Sequence, residues 1–563
     1  MKVTANVLLN YIRCRRYASL NDPDYDFKLD DNKINRQYYN KIWTIFEELY
    51  LNSFEDIKQN QLISYDFHSD IELYEKLDYL CLNLETKYVY SLFSSTSKDF
   101  LKMRYNLNNR KYQMFKKDSF GVYVLKSSPK SEAISNYDEK IKKLTNRKND
   151  LGRIVYKEAF KRFIYDKVYG LKNVKFYTVL LNTDYVYNGK NYERDLYHIF
   201  DFSKLYQNMS EIIEADIYRM INHIELNDFT EVPLVKKECR KNDTFECKFV
   251  DFCFSHIPKE NSILDYFNSN RGFYEPTDSG EVFHDTYELI NQGRVSMEDI
   301  PISWLKDEKH LMQRYCLEAQ FIHVHKEKIE TILKTLRFPL IYLDFEAMPC
   351  MLPRFKGETP FTQSVFQYSI HIQKEENILK KNGKNHYEFL ANPEYDNRKE
   401  LVKSLIHIIN KYDSSVIVYH KTFEEQRLKE FQEYFPEYKL ELQKIIDRLF
   451  DLKDVVKNNK KFFIKQGFSD YEASRYNFYS CIQSGSYSLK KVIKVFDESA
   501  YSDLTIKNGV EAYKTFMKLE ILNPIDRDKA VTDLLEYCKQ DTYSMFQIIQ
   551  GLIKYLSPGF TIQ

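Results

Sequence analysis

A chain of 563 residues exceeds what one ordinary core fills, so roughly three or four domain-sized pieces are expected. With 83 Lys+Arg against 82 Asp+Glu the chain is nearly neutral, which excludes a globally basic polyanion binder and confines any such site to a local patch. Charged residues at 29% and hydrophobic ones at 43% exclude a disordered chain. The 46 Tyr and 40 Phe beside 2 Trp read as the bias of an AT-rich coding sequence, not as a binding signal. No apolar run approaches the ~20 residues of a membrane span. The start, MKVTANVLLNYIRCRRYASL, sets Arg13, Arg15 and Arg16 after its apolar turn, the wrong order for a signal peptide. A soluble, cytoplasmic α/β protein is expected, with its 9 Cys reduced and clustered cysteines acting as metal ligands before disulfides.

In chain order, residues 1–60 read as helical, and KYVYSLF, KYQMF and FGVYVLKSS between about 85 and 128 read as short strands. A long helix over roughly 138–169 ends at Gly170 and feeds the buried-type strand VKFYTVLLN. The turn-rich RGFYEPTDSGEVFHD follows Cys253, with helical segments to about 336. FPLIYLDFE opens a second α/β domain. It continues with a strand near 365–371, a helix at 397–411, the strand SSVIVYH, a helix at 422–434 and helices to the C-terminus. The expected division is an N-terminal domain over 1–265, a helical connection over 266–335 and a C-terminal domain over 336–563.

In the strand LIYLDFEAM, Asp344 and Glu346 are two apart and share a face while Phe345 turns to the core. Taken alone, such a pair is also a solvated strand end. Two further acids change the balance: Glu424 just past the strand VIVYH, and Asp541 in LLEYCKQDTYSM, one helical turn after Tyr537. Hard oxygen ligands of this kind suit two Mg²⁺ or Mn²⁺ ions, and a phenol beside them is placed to orient an attacking water. Asp451 in LFDLKDVV is an additional candidate, equally readable as a helix cap.

This order of D-x-E, a later acid and Y-x-x-x-D resembles the DEDD exonucleases of the ribonuclease H-like, DnaQ-like superfamily, in the subgroup with Tyr in the third motif. GSYSLKKVIKVF (485–496) is similar to the Ser-Leu helix start between their second and third motifs. YLDFEAMPCMLPRFKGETPFTQSVFQYSIH resembles a bacterial domain family grouped with that superfamily, the likeness covering roughly 335–555. It implies a 3′→5′ exonuclease in which Asp344, Glu346, Glu424 and Asp541 hold the ions and Tyr537 positions water. Glu424 stands where relatives use Asp, His420 where many carry Asn, and Ala347 where a small hydroxyl residue is usual.

Upstream, Cys239, Cys247 and Cys253 form C-x7-C-x5-C, and Cys14 lies far earlier. One early and three late cysteines resemble the iron–sulfur nucleases of the RecB-like PD-(D/E)XK type, which implies a [4Fe–4S] cluster or Zn²⁺ on these four. Cys81, Cys316, Cys350, Cys481 and Cys538 read as small core residues. The same resemblance implies an Asp on one strand and Glu-x-Lys on the next. GVYVLKSSPKS supplies the Lys as Lys126 but has Val124 at the Glu position, and MRYNLNN has Asn106 at the Asp position. A catalytically silent, nucleic-acid-holding N-terminal domain is therefore expected, with Lys126 and the basic stretch KEAFKRF as phosphate contacts or, for the stretch, a solvated helix face. The expected function is a metal-dependent 3′→5′ exonuclease on DNA or RNA. The alternative is an inactive nucleic-acid clamp or a metal-stapled scaffold for repair or processing proteins.

Overall fold

In the computed structural model, the described residues are 1–20, 33–68, 71–83, 86–129, 134–170, 173–226, 235–239, 247–267, 271–375 and 379–562. They form a mixed α/β protein with several sheets that divides into two compact units. The first comprises Met1–Pro233, Glu238–Val250 and Cys350–Thr362; the second comprises Leu234–Lys237, Asp251–Pro349 and Gln363–Gln563. The stretch read as a connection at 266–335 thus belongs to the second unit, and 350–362 to the first. No described helix is long and apolar enough to cross a membrane.

The first unit begins with β1 (Lys2–Val3), α1 (Ala5–Arg13) and α2 (Lys33–Phe46). A meander of long strands follows: β2 (Asp56–His68), β3 (Ile71–Asn83) and β4 (Thr86–Thr96). An insertion then carries the hairpin β5 (Arg104–Leu107) and β6 (Arg110–Gln113), and the pair β7 (Phe115–Lys117) and β8 (Tyr123–Leu125). The helices α3 (Tyr137–Leu144) and α4 (Asp150–Tyr169) lead to β9 (Val174–Leu181), which runs parallel to β4, and then to β10 (Tyr197–Asp201). The eight-stranded sheet runs β1-β3-β4-β9-β10-β8-β7, with β2 paired to β3.

The long helix expected over 138–169 is two helices. Asn149 caps α4 by accepting from the Gly152 amide at 2.8 Å. A Cβ at Gly152 would lie 2.0 Å from the Asn146 carbonyl oxygen, so only glycine allows this close approach. The helix ends where expected, at Gly170 with φ 76°.

The structure separates the two strands expected to carry the N-terminal motif. Asn106 lies on β5, which pairs only with β6, whereas Val124 lies on β8 between β7 and β10. They occupy separate sheets, not neighbouring strands of one; the Lys126 amide donates to the Met114 carbonyl, and its own carbonyl accepts from the Tyr137 hydroxyl. The basic stretch KEAFKRF is neither a solvated face nor free for phosphate. Lys161 is buried against Glu158 at 2.8 Å, Asp78 at 3.8 Å and the Ser91 hydroxyl at 3.1 Å. Arg162 is held by Asp166 and the Val174 carbonyl. The buried carboxylate–lysine cluster of this unit therefore sits on β3, β4 and α4.

The second unit contains the hairpin β11 (Phe273–Thr277) and β12 (Gly280–His284), and a short antiparallel pair, β13 (His323–Val324) with β19 (Phe478–Tyr479). Its main sheet has β14 (Leu340–Cys350), β15 (Thr362–Gln373), β16 (His386–Leu390), β17 (Val416–Val418) and β18 (Leu449–Asp451), ordered β16-β15-β14-β17-β18. The strands β14, β17 and β18 are mutually parallel. Both faces are covered. Ile341, Leu343 and Phe345 join one buried cluster with Leu401, Leu405 and Leu428; Leu340 and Tyr342 join another with Met545, Phe546 and Ile549. Sequence order runs outward in both directions from β14, making the β14/β17 edge a topological switch point. In open α/β sheets, ligands gather at the carboxyl ends of the strands at such a point.

Candidate functional site

The carboxylates stand at that edge. The parallel pairing of β14 ends at Tyr342 opposite Ile417, and Asp344 and Glu346 follow immediately on the face of Leu340 and Tyr342. The 30-residue helix α5 (Pro524–Ile553), capped by Asn523, packs its buried Met545 and Ile549 on that side and brings Tyr537 and Asp541 with it. One oxygen each from Asp344, Glu346 and Asp541 lie within 4.8 Å of one another, the only such group of three or more His, Cys, Asp or Glu among the described residues. Glu424 is in the first turn of α6 (Thr422–Tyr434), directly after β17. It is 2% exposed, and its Oε2 has no hydrogen-bond partner among the described residues.

The electrostatics follow from packing acids together away from water. Burial, then the neighbouring Asp541, Glu346 and Glu424, push Asp344 well above the usual carboxylate range. Burial and Asp541 push Glu346 up to about 8. Burial, with Asp451 adding to it, pushes Glu424 up to about 8. Burial raises Asp541 to about 6, against the pull of Lys490 and the hydroxyls of Tyr501 and Tyr537. Four buried acids with one lysine among them form an oxygen donor set short of positive charge. The orphaned Glu424 Oε2 points the same way, so these residues fit hard divalent cations.

Three residues at the site escaped the sequence reading. Lys490, on α7 (Leu489–Ile493), donates to the Tyr537 hydroxyl at 2.8 Å and lies 4.5 Å from that ring's centre. The Tyr501 hydroxyl donates to Asp541 Oδ1. Cys538, read as a core residue, is fully buried, and its thiol donates to Asp344 Oδ2 at 3.5 Å. Lys490 lies inside the quoted segment GSYSLKKVIKVF, but nothing in its spacing aims it at the acids. Asp451 resolves as a cap: its oxygens accept from the amides of His420, Lys421 and Lys453, each at 3.0 Å. His420 has φ 74°, so Asp451 anchors the strained turn that delivers Glu424.

Of the cysteines, Cys14, Cys239 and Cys247 belong to the first unit and Cys253 to the second. The Cys247 amide donates to the Cys239 carbonyl at 3.4 Å, and burial, with Cys14 adding to it, raises the Cys247 thiol. The sulfurs of Cys14, Cys239 and Cys247 do not all lie within 4.8 Å of one another. Three ligands of one zinc, at ~2.3 Å each, would stand only about 4 Å apart.

Residues 341–488 match a family described as a domain of unknown function (DUF2779). The chain is 29% identical over 248 residues to the uncharacterized protein MG366 of Mycoplasma genitalium, covering 40% of this chain and 34% of that protein. It is 26% identical over 245 residues to the uncharacterized protein UU173 of Ureaplasma parvum, covering 40% and 33%. It is also 26% identical over 281 residues to the MG366 homolog of Mycoplasma pneumoniae, covering 46% and 39%. The chain thus spans about a third of the length of these relatives. No solved structure matches it.

Proposed function

We propose that the second unit is a ribonuclease H-like, two-metal-ion 3′→5′ exonuclease acting on the ends of DNA or RNA. The observation that carries this reading is the convergence of Asp344, Glu346 and Asp541 within 4.8 Å, beside a buried Glu424 whose outer oxygen lacks a partner. Mg²⁺ or Mn²⁺ bound there would activate water and stabilise the leaving oxygen. Asp344, Glu346 and Asp541 suit one ion. Glu424, whose charge helps to raise Asp344, suits the second. Burial and the surrounding acids keep the Tyr537 phenol protonated, so it can hydrogen-bond and orient a water but cannot take its proton. Lys490 holds that hydroxyl in place, and its charge lowers Glu346 and Asp541.

For the first unit, the helix, three-stranded meander, crossover helix and parallel strand support a RecB-like fold. A catalytically silent centre suits it, since Lys161 is closed in by Glu158, Asp78 and Ser91. The proximity of Cys14 to Cys247, and the hydrogen bond from Cys247 to Cys239, support a thiolate-held metal there. An iron–sulfur cluster or a zinc ion would be the metal held there.

The exonuclease reading is tested by Asp344→Asn and Asp541→Asn singly. Each removes a charged oxygen at nearly constant volume, and each is expected to abolish Mn²⁺-dependent release of mononucleotides while keeping the far-UV circular dichroism of the parent. Near-parental cleavage by either variant contradicts it.

A further inference from the structure

The insertion between β4 and α4 builds a second feature, a concavity of about 860 Å³ within the first unit. Two stripes of side chains line it. On the hairpin, Arg104 and Asn106 are two apart on β5, and Lys111 is the register partner of Asn106 on β6, so all three share a face. On α3 and its cap, Asn136, Lys140 and Lys143 are spaced i, i+4, i+7 and form one helical stripe. Lys102 adds a fifth cation, and Asn149 lies at the start of α4.

The two walls are fastened together. The Asn106 amide donates to Asn136 Oδ1 at 2.7 Å, the Asn136 amide donates to the Asn106 carbonyl at 3.3 Å, and Leu107 bridges Ser135. Five cations face two carboxylates, Asp99 and Asp150, and only Met103 and Leu151 among the lining residues are apolar. None of Lys102, Arg104, Lys111, Lys140 or Lys143 makes an ion pair or side-chain hydrogen bond within the described residues, and all but Lys140, which is half-buried, are exposed. An ordinary protein surface intersperses the two signs of charge. Here, in a chain of formal net charge +1, unpaired positive charge is concentrated in one concave place.

We infer that this concavity binds the phosphodiester backbone of a nucleic-acid strand. Pockets for small organic ligands are lined mostly by apolar and aromatic groups with few polar ones, the reverse of this lining. Two parallel rows of cations with asparagines between them suit successive phosphates and sugar hydroxyls instead, and read charge and not sequence. The choice of a nucleic acid as the polyanion rests on the exonuclease reading; the anion site itself does not. Lys126, the residue the sequence singled out for this task, is not among the lining residues.

The experiment compares Asp344→Asn/Asp541→Asn protein with the same protein also carrying Lys102→Gln, Lys111→Gln, Lys140→Gln and Lys143→Gln. Both are studied in EDTA, by anisotropy of fluorescein-labelled single-stranded 20-mers of DNA and RNA. Neither metal nor cleavage enters, so failure of the exonuclease reading leaves the measurement intact. Removing four unpaired charges is expected to weaken binding at least tenfold at 0.1 M salt. It should also flatten the dependence of log K on log salt by about 0.7 per lost phosphate contact, roughly 2–3 in all. The matching four Lys→Arg changes should restore both. Unchanged affinity and slope in the glutamine variant would overturn the inference. So would displacement of the strand by inorganic phosphate at low millimolar concentration, which would mark a small-anion site.

Discussion

Loading the metal-free protein with Mn²⁺ should raise its melting temperature, and by far more at pH 8 than at pH 6. Glu346 and Glu424 each titrate near 8 in the folded chain, against 4.5 for an ordinary glutamate. The folded protein therefore holds more protons than the unfolded one between those values. Metal-free stability falls as pH rises through that window and is highest below it. At about 1.4 kcal/mol per pH unit, a displacement of this size corresponds to roughly 5 kcal/mol for each carboxylate once ionised. A cation binds the deprotonated groups, so each such carboxylate weakens binding by about fiftyfold between pH 8 and pH 6. Mn²⁺ at a hundred times its Kd stabilises by about 2.7 kcal/mol. At roughly 2–4 °C per kcal/mol, that is a rise of about 5–10 °C at pH 8. At pH 6 the same concentration falls below Kd and the shift nearly vanishes. Differential scanning calorimetry of EDTA-treated protein, with and without Mn²⁺, reads both effects. Equal shifts at the two pH values, or metal-free stability that does not change from pH 5 to 8.5, would refute the reasoning.

Other outcomes follow from single contacts. Tyr537→Phe should lower the turnover of Mn²⁺-dependent cleavage by about 10–1,000-fold while leaving Mn²⁺ affinity near that of the parent, because it loses one positioning hydrogen bond and no charged oxygen; full activity would remove the water-orienting role. Lys490→Met should push Glu346 and Asp541 higher still, since both now feel its charge, and shift the alkaline rise of the pH–rate profile upward; an unmoved profile would count against that contact. Metal analysis after anaerobic preparation should find iron that is lost when Cys14, Cys239 or Cys247 becomes Ser, with a lower melting temperature. Absence of both iron and zinc would end the thiolate-site reading.

How far the site could be read from the sequence depended on how local each signal was. Asp344 and Glu346 share a face because strand periodicity puts them there, and Tyr537 and Asp541 because helical periodicity does; neither requires knowledge of the fold. Lys490, Tyr501 and Cys538 reach the acids only through tertiary packing, which no spacing in the chain encodes. The N-terminal reading failed for a different reason. Strand character was legible in FGVYVLKSS and MRYNLNN, but both lie in the insertion. The long strands β2 and β3 were absorbed into a helical reading or passed over, so Asp78 in LDYLCL was not weighed. KEAFKRF looked like a basic surface because charge predicts exposure on average, yet Lys161 and Arg162 are buried with partners from β3, β4 and the neighbouring turn of α4.

The most direct measurement takes 3′- and 5′-end-labelled single and double strands of DNA and RNA, the 563-residue chain, and either Mn²⁺ or EDTA. Parent protein with Mn²⁺ is expected to release labelled mononucleotides from the 3′ end first, leaving a descending ladder of 5′-labelled products. The Asp344→Asn/Asp541→Asn protein, and the parent in EDTA, should leave every substrate intact. Cleavage by the double variant, internal cuts in place of a ladder, or no cleavage of any of the four substrates by metal-loaded parent protein would contradict a two-metal 3′→5′ exonuclease.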